Sequence, residues 1–281
     1  VTLVELLVGL VVASIVGTAL VQGIVTESRM MEDREAWRTA RQVSRTASNV
    51  LANELRMVES GGGIETAAAN GLNFIARVPY ALGVLCSTNG TTSTLALMPA
   101  DSVMFAGPGF AGFAWRAQAT GAYTYVTSGT SLNTSGSSAA CTSAGITPVP
   151  AIGGSPAGRV VTVTGTVPNT LPAGTPFLLF RRIQYEFKAS AMVPGRTGLW
   201  RTILGTGIAD ELAAPFDPAS RFRYYVQGSA TPQEGTPNPL SAMRGIQVQA
   251  DGRSEAAPRL APGGPRVVRL PTAVYFFNVS P

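Results

Sequence analysis

The sequence predicts an α+β protein in which one long N-terminal helix, its first half apolar enough to lie in a membrane, packs on antiparallel β-sheet. Three observations predict it. Between Glu5 and Glu27 lie 21 residues without a charge, dominated by Leu, Val and Ile. Residues 26 to 59 contain neither proline nor glycine and repeat apolar residues at three- and four-residue spacing. From Leu72 onward the pattern changes to short runs with a period of two or of continuous apolar character.

A helix rises about 1.5 Å per residue, so the uncharged stretch spans roughly 30 Å, the thickness of a hydrocarbon core. Glu5 departs from that simple pattern. An acid inside such a segment is costly unless it is interfacial, paired or neutralised. A secretory signal peptide would open with Met and a positive region, whereas no basic side chain precedes Arg29 here. The positive group nearest Glu5 is an α-amine on Val1, which points to a processed N-terminus. Gly9, Ala13 and Gly17 stand four apart and form a small-residue stripe that would let neighbouring helices approach closely. Gly17, Thr18 and Gly23 are weak helix formers, so local melting in an assembly stays open.

Past Glu27 the helix is amphipathic. Val43, Ala47, Val50, Leu51, Leu55 and Val58 form a stripe expected to lie against a sheet. Glu27, Glu32, Asp33 and Glu35 come early; Arg38, Arg41 and Arg45 follow, with Arg34, Arg38 and Arg41 on a neighbouring face. Those charges are either a solvated face or partners for adjacent chains and, near Arg29 and Arg34, for headgroups. Gly61, Gly62 and Gly63 end the helix. A single helix of about 58 residues would be about 87 Å long. The chain thus divides into a hydrophobic helix over 1–26, an amphipathic continuation over 27–60 and a β-rich domain over 61–281.

Candidate strands are 72–78, 93–98, 113–118, 122–127, 159–165, 177–188, 198–203, 222–227, 245–250 and 272–279. In the fullest example Ile183, Tyr185 and Phe187 alternate with Gln184, Glu186 and Lys188, the mark of a half-buried strand. Residues 119–158 differ. No charge occurs between Arg116 and Arg159, and small residues dominate. This stretch reads either as a long surface excursion or as a β-hairpin packed tightly by small side chains.

Composition narrows the chemistry. The chain has 281 residues and no histidine, which removes His-based triads, His-containing zinc sites and a histidine general base. Two cysteines, outside any CxxC spacing, cannot build a four-cysteine metal centre. We therefore expect no catalytic set, no cofactor and no metal. Asp210, Glu211, Asp217 and Asp251 invite comparison with a calcium site, but Asp217-Pro218 and Asp251-Gly252 read better as turns. The glycine-rich run from Gly107 to Gly112 lacks the spacing and lysine of a phosphate loop. Net charge is +5, with net −1 over residues 1–60 and +6 over the remainder. The arginines are scattered, with Arg181–Arg182 the one adjacent pair. Nucleic acid, which needs a dense basic track, is accordingly the weaker reading of that charge.

The N-terminal residues, with Thr2, Leu3, Val4, Glu5, Leu6 and Leu7 in register, resemble the mature N-terminus of type IV pilins and type II secretion pseudopilins. Two features depart from the family pattern: Val1 stands where Phe is usual, and Gln22 stands where major pilins often carry proline. Further along, LANELRMVESGG, Leu199-Trp200-Arg201, ELAAPFDPASRFRYY, MRGIQVQADGR and PTAVYFFNVS resemble, more loosely, large PilW-type minor pilins and J-type pseudopilins. Arg244 and Asn278 would be family-typical polar positions or simply pair within the domain.

The resemblance implies a pilin-like fold and a structural role without a reaction. A prepilin peptidase would cleave the precursor, leaving Val1 as the processed and N-methylated terminus. The helix would wait in the inner membrane with its domain in the periplasm. An inner-membrane assembly platform would then pass it into a filament of pilin or pseudopilin subunits. Glu5 would pair with the N-terminal amine of a neighbour, and Gly9, Ala13 and Gly17 would face adjacent helices. The missing proline and the large domain lean towards a minor, initiating or tip-proximal subunit. A secretion pseudopilin, a major shaft subunit and an adhesive or DNA-binding tip protein are the alternatives. Export to an oxidising compartment implies a Cys86–Cys141 disulfide, the alternative being two buried thiols.

Overall fold

The computed structural model describes residues 2–99, 101, 109–134, 136–148, 158–258 and 264–277, with Glu5 described through its backbone alone. Its first element, α1 (Leu3–Leu55), runs for 53 residues, about 80 Å at the α-helical rise. It ends five residues before the expected stop at 60. Arg56 and Met57 turn, and the Val58 N–H donates to the Leu55 carbonyl at 3.1 Å. Tertiary burial overrides helix propensity here, because Val58 and Glu59 lie inside the domain. The Glu59 carboxylate accepts from the Gly61 N–H at 2.5 Å and from the Tyr125 hydroxyl at 3.2 Å. Its carbonyl accepts from the Gly63 N–H at 3.0 Å. A Cβ on Gly63 would stand 2.3 Å from that carbonyl oxygen, so the turn requires glycine.

The spine of the domain is the antiparallel pair β2 (Asn73–Thr88) and β8 (Pro176–Ala189). Ten further strands extend it. On one side lie β9 (Thr197–Ile203), β10 (Ile208–Phe216), β13 (Gly252–Arg253) and β14 (Val267–Val268). On the other lie β3 (Thr92–Leu97), β7 (Val160–Thr164) and β6 (Ser131–Asn133). A short β1 (Ile64–Ala67) pairs with β2, while β4 (Gly112–Arg116) pairs with β8 and carries β5 (Tyr123–Val126). A separate sheet orders β11 (Arg221–Val226), β12 (Met243–Gln249) and β15 (Pro271–Tyr275). The fold is therefore α+β, one long helix on a large antiparallel sheet.

Two cores result from one register shift. Between Pro79 and Ala81 the β2–β8 register slips, and Pro79 brings no N–H to the ladder. Before the slip, Phe74, Ala76 and Val78 pack with Ile183, Tyr185 and Phe187 against Ala47, Leu51, Leu55 and Val58 of α1. Phe222, Ile246 and Val248 of the small sheet close the same core, with Phe74 edge-on to Phe222 at 4.7 Å. After the slip, Ala81 and Leu85 pack with Phe177 and Leu179, Leu95 and Leu97, and Phe113, Val161 and Val163.

The region from 119 to 158 carries short regular elements where it is described. Residues 123–126 form the outer strand of the β4–β5 hairpin, and 131–133 add an edge strand to β7. The helix α2 (Ser138–Ser143) follows, started by Ser137, whose hydroxyl accepts from the Ala139 N–H at 3.3 Å. Cys141 on α2 is disulfide-bonded to Cys86 on β2, and the bridge is buried beside Ala96, Val84, Ile146 and Val160. Among the described residues of this region Cys141 is the one that is buried, so the strands and helix run over the surface of the domain. The bridge ties α2 to β2. Residues 149–157 lie outside the described residues.

Candidate functional site

The two halves of α1 have opposite surroundings. From Ala40 on, residues 40, 44, 47, 48, 51 and 55 are buried by the domain. Before Thr26 no described side chain of the helix is buried. Thirteen large apolar side chains between Leu3 and Ile24 are 51 to 79% exposed. Soluble monomers rarely expose an apolar patch beyond a few hundred Å². An all-round apolar helix of this kind is covered by lipid or by other helices. Among the described residues α1 is also the one helix long and apolar enough to cross a membrane.

Its polar groups suit that environment. Ser14 donates to the Val11 carbonyl, Thr18 to the Ser14 carbonyl and Thr26 to the Gln22 carbonyl, each at 2.8 Å. Folded back this way, the hydroxyls leave no open donor in an apolar medium. Gly9 and Gly17 meet no heavy atom within 4 Å of an added Cβ, and Ala13 is exposed between them. The expected small-residue stripe is thus bare on the helix surface. Val1 and the Glu5 side chain lie outside the described residues, so the expected pairing of Glu5 has no geometry here.

The helix is locked to the domain by polar contacts that join distant parts of the chain. Arg266 forms an ion pair with Asp33 at 2.5 Å. The Thr272 hydroxyl donates to Ser48 Oγ at 3.0 Å. Glu54 pairs with Arg201 at 2.9 Å and accepts from the Tyr185 hydroxyl. Burial pushes the Tyr185 phenol well above its ordinary value, and the Glu54 carboxylate pushes it further. Comparison of the chain with protein-family models, with curated proteins and with solved structures returns no match. The reading of α1 therefore rests on its own geometry.

The remaining candidates resolve within the domain. Asp210, Glu211, Asp217 and Asp251 do not converge, and among the described residues no three metal-ligating side chains do. Glu211 accepts from the Ala191 and Met192 N–H groups, at 2.9 and 3.0 Å. Asp210 faces Arg201 at 3.8 Å, Asp217 faces Arg253 at 3.7 Å and Asp251 faces Arg269 at 3.8 Å. Arg244 donates to the Ser229 carbonyl at 2.5 Å, so it pairs within the domain. Asn278 lies outside the described residues. Sequence reasoning missed Asp33–Arg266 and Ser48–Thr272 because partners more than 200 residues apart leave no local pattern. The one signal was Ser44 and Ser48 interrupting an otherwise apolar stripe.

Proposed function

We propose that the chain is a structural subunit of a type IV pilus or pilus-like filament, in a minor, initiating or tip-proximal position. One observation carries the reading. A single unbroken helix buries its second half in a β-rich domain and leaves its first half bare and apolar. That design holds a domain at a fixed distance from whatever covers the helix. Lipid covers it before assembly, and the helices of other pilin subunits cover it afterwards.

In this reading a prepilin peptidase frees Val1, the inner-membrane platform lifts the helix out of the bilayer, and the protein catalyses nothing. Glu5 meets the N-terminal amine of a neighbour. A close pair in an apolar bundle gains more than it would in water, though desolvation removes much of that gain. Its main effect is registration, since an unmatched Glu5 is penalised.

Cell fractionation tests the proposal. The full chain is expected in the inner membrane and in filaments sheared from the surface. Glu5→Ala is expected to keep membrane insertion and to vanish from the sheared fraction. A wild-type chain that stays in the membrane fraction in cells bearing filaments contradicts the proposal.

A further inference from the structure

Glycine has no Cβ, so its amide nitrogen can approach the side-chain amide carbon of a preceding asparagine and close a five-membered imide. The chain has two such dipeptides, Asn70–Gly71 and Asn89–Gly90. Both asparagines are exposed. By sequence the two are equivalent, but the fold treats them differently.

Asn89 stands at the tip of the hairpin between β2 and β3, where Gly90 and Thr91 make the turn and the Asn89 N–H donates to the Thr92 carbonyl at 3.1 Å. Asn89 Oδ1 accepts three hydrogen bonds, from the Thr91 N–H and the Thr91 hydroxyl at 3.1 Å each and from the Thr92 N–H at 2.8 Å. A neutral amide oxygen offers two lone pairs, whereas the oxyanion formed by addition to the amide carbon offers three. The turn thus holds one donor more than the resting amide needs, aimed where negative charge develops. The nucleophile has room as well. The Gly90 N–H donates to Thr88 Oγ1 at 3.2 Å, a hydroxyl that can rotate, and an added Cβ on Gly90 would meet nothing nearer than 3.7 Å. Asn70 is held otherwise. Its Oδ1 accepts one bond, from the Leu72 N–H at 3.0 Å. Gly71 is buried, its N–H donates to the Ala68 carbonyl at 3.0 Å, and an added Cβ would stand 2.4 Å from the Phe222 carbonyl oxygen. The glycine carbonyls do not separate the sites, since Gly71 accepts from the Phe222 N–H at 2.7 Å and Gly90 from the Val167 N–H at 2.9 Å.

We infer that Asn89, and not Asn70, is a site of spontaneous modification in the folded chain, converted by its own turn to aspartate and isoaspartate. The Gly90 nitrogen gives up its proton to solvent and bonds to Cγ of Asn89. The Cγ–Nδ2 bond breaks, and Nδ2 takes a proton from solvent and leaves as ammonia. Water then opens the imide at either carbonyl. Nothing is oxidised or reduced, and water is the one co-reactant. Opening at the main-chain carbonyl leaves isoaspartate, which adds a Cβ to the backbone of a tight turn. That turn is tied to the chain beyond β7, where the Gly165 N–H donates to the Thr91 carbonyl at 2.8 Å and the Val167 N–H to the Gly90 carbonyl. Lengthening the turn works against those bonds, and either product adds a negative charge at the hairpin tip. The inference is independent of the filament reading, because it concerns the chemistry of the chain alone.

The full chain in detergent, held in warm, mildly alkaline buffer and sampled over days, provides the test, with peptide mass mapping and released ammonia as the readouts. In the folded chain Asn89 is expected to convert roughly tenfold or more faster than Asn70. In guanidinium the two are expected to convert at similar rates, which assigns the difference to the fold. Thr91→Ala removes one of the three donors and is expected to slow Asn89 roughly threefold or more. Thr91→Ser keeps the hydroxyl and is expected to restore the wild-type rate. A variant that unfolds announces itself by a faster Asn70. Three results each overturn the inference: Asn89 intact in the folded chain while it converts in guanidinium, Asn70 converting as fast as Asn89 in the folded chain, or a folded Thr91→Ala whose Asn89 converts at the wild-type rate. Presence of the chain in sheared filaments decides the filament reading separately, so either idea can fail without the other.

Discussion

The Gly252 amide on β13 donates to Ser44 Oγ on α1 at 2.8 Å, across 208 residues of sequence. The same hydroxyl reaches back to the Ala40 carbonyl at 3.3 Å. A Cβ on Gly252 would stand 2.0 Å from the Ala40 carbonyl oxygen and 2.4 Å from Ser44 Oγ. Strand and helix thus meet backbone to backbone, with no room for a side chain.

Gly252→Ala is accordingly expected to force β13 away from α1 and to cost about 1–3 kcal/mol, the usual range for overpacking. Ser44→Ala leaves the buried Gly252 N–H without its acceptor and costs a similar amount. Denaturant unfolding of the full chain in detergent checks both. Wild-type stability in either variant would show that this contact does not hold the helix to the domain.

Tyr224 lies fully buried on β11, an outer strand of the small sheet, and its hydroxyl has no hydrogen-bond partner among the described residues. Tyr224→Phe removes that uncompensated group, and we expect a gain of about 1 kcal/mol, read as a higher Tm. Loss of stability would reveal a partner that the hydroxyl depends on.

Buried phenols also set an alkaline limit. Burial pushes Tyr80 up to about 12 against the opposing charge of Arg181, and burial raises Tyr224 as well. The folded state therefore keeps these protons at a pH where the unfolded chain releases them. Their contribution is complete below about pH 10 and fades as pH rises from about 10 to about 12. Unfolding midpoints are expected to be unaffected by these phenols up to about pH 10 and to fall above it, with a shallower fall in Tyr224→Phe. Midpoints that hold steady to about pH 12 would contradict this.

Replacing Cys86 and Cys141 together by alanine opens the loop closed by the disulfide, whose ends are 55 residues apart. Chain entropy puts the loss at roughly 4 kcal/mol. We expect a lower denaturation midpoint and earlier proteolysis around α2, the element the bridge pins. Equal stability with and without the bridge would show that α2 is held by packing alone.

These tests also mark what the sequence made legible. Period-two alternation disclosed β8, and apolar spacing disclosed the buried stripe from Val43 to Val58. β10 stayed hidden because its register shifts at Glu211/Ala213 and again at Ala213/Phe216, which scrambles the alternation. The second half of β2 was missed for the same reason, since the slip at Pro79 moves the inward positions by one. The helix end was placed late because the glycine signal at 61–63 is local, whereas the stop at Leu55 is set by burying Glu59 against Tyr125. On α1 the stripe of Gly9, Ala13 and Gly17 was visible from spacing alone.

The central claim is that residues 3–24 lie inside a filament while the β-rich domain lies outside. Electron cryo-microscopy of filaments sheared from cells producing the full chain tests it most directly. The account predicts density for this chain, along the fibre or at its tip, with the apolar half of α1 packed among other helices and the sheet facing outward. Filaments whose density and subunit composition contain no trace of the chain, while the chain persists in the membrane, would contradict it.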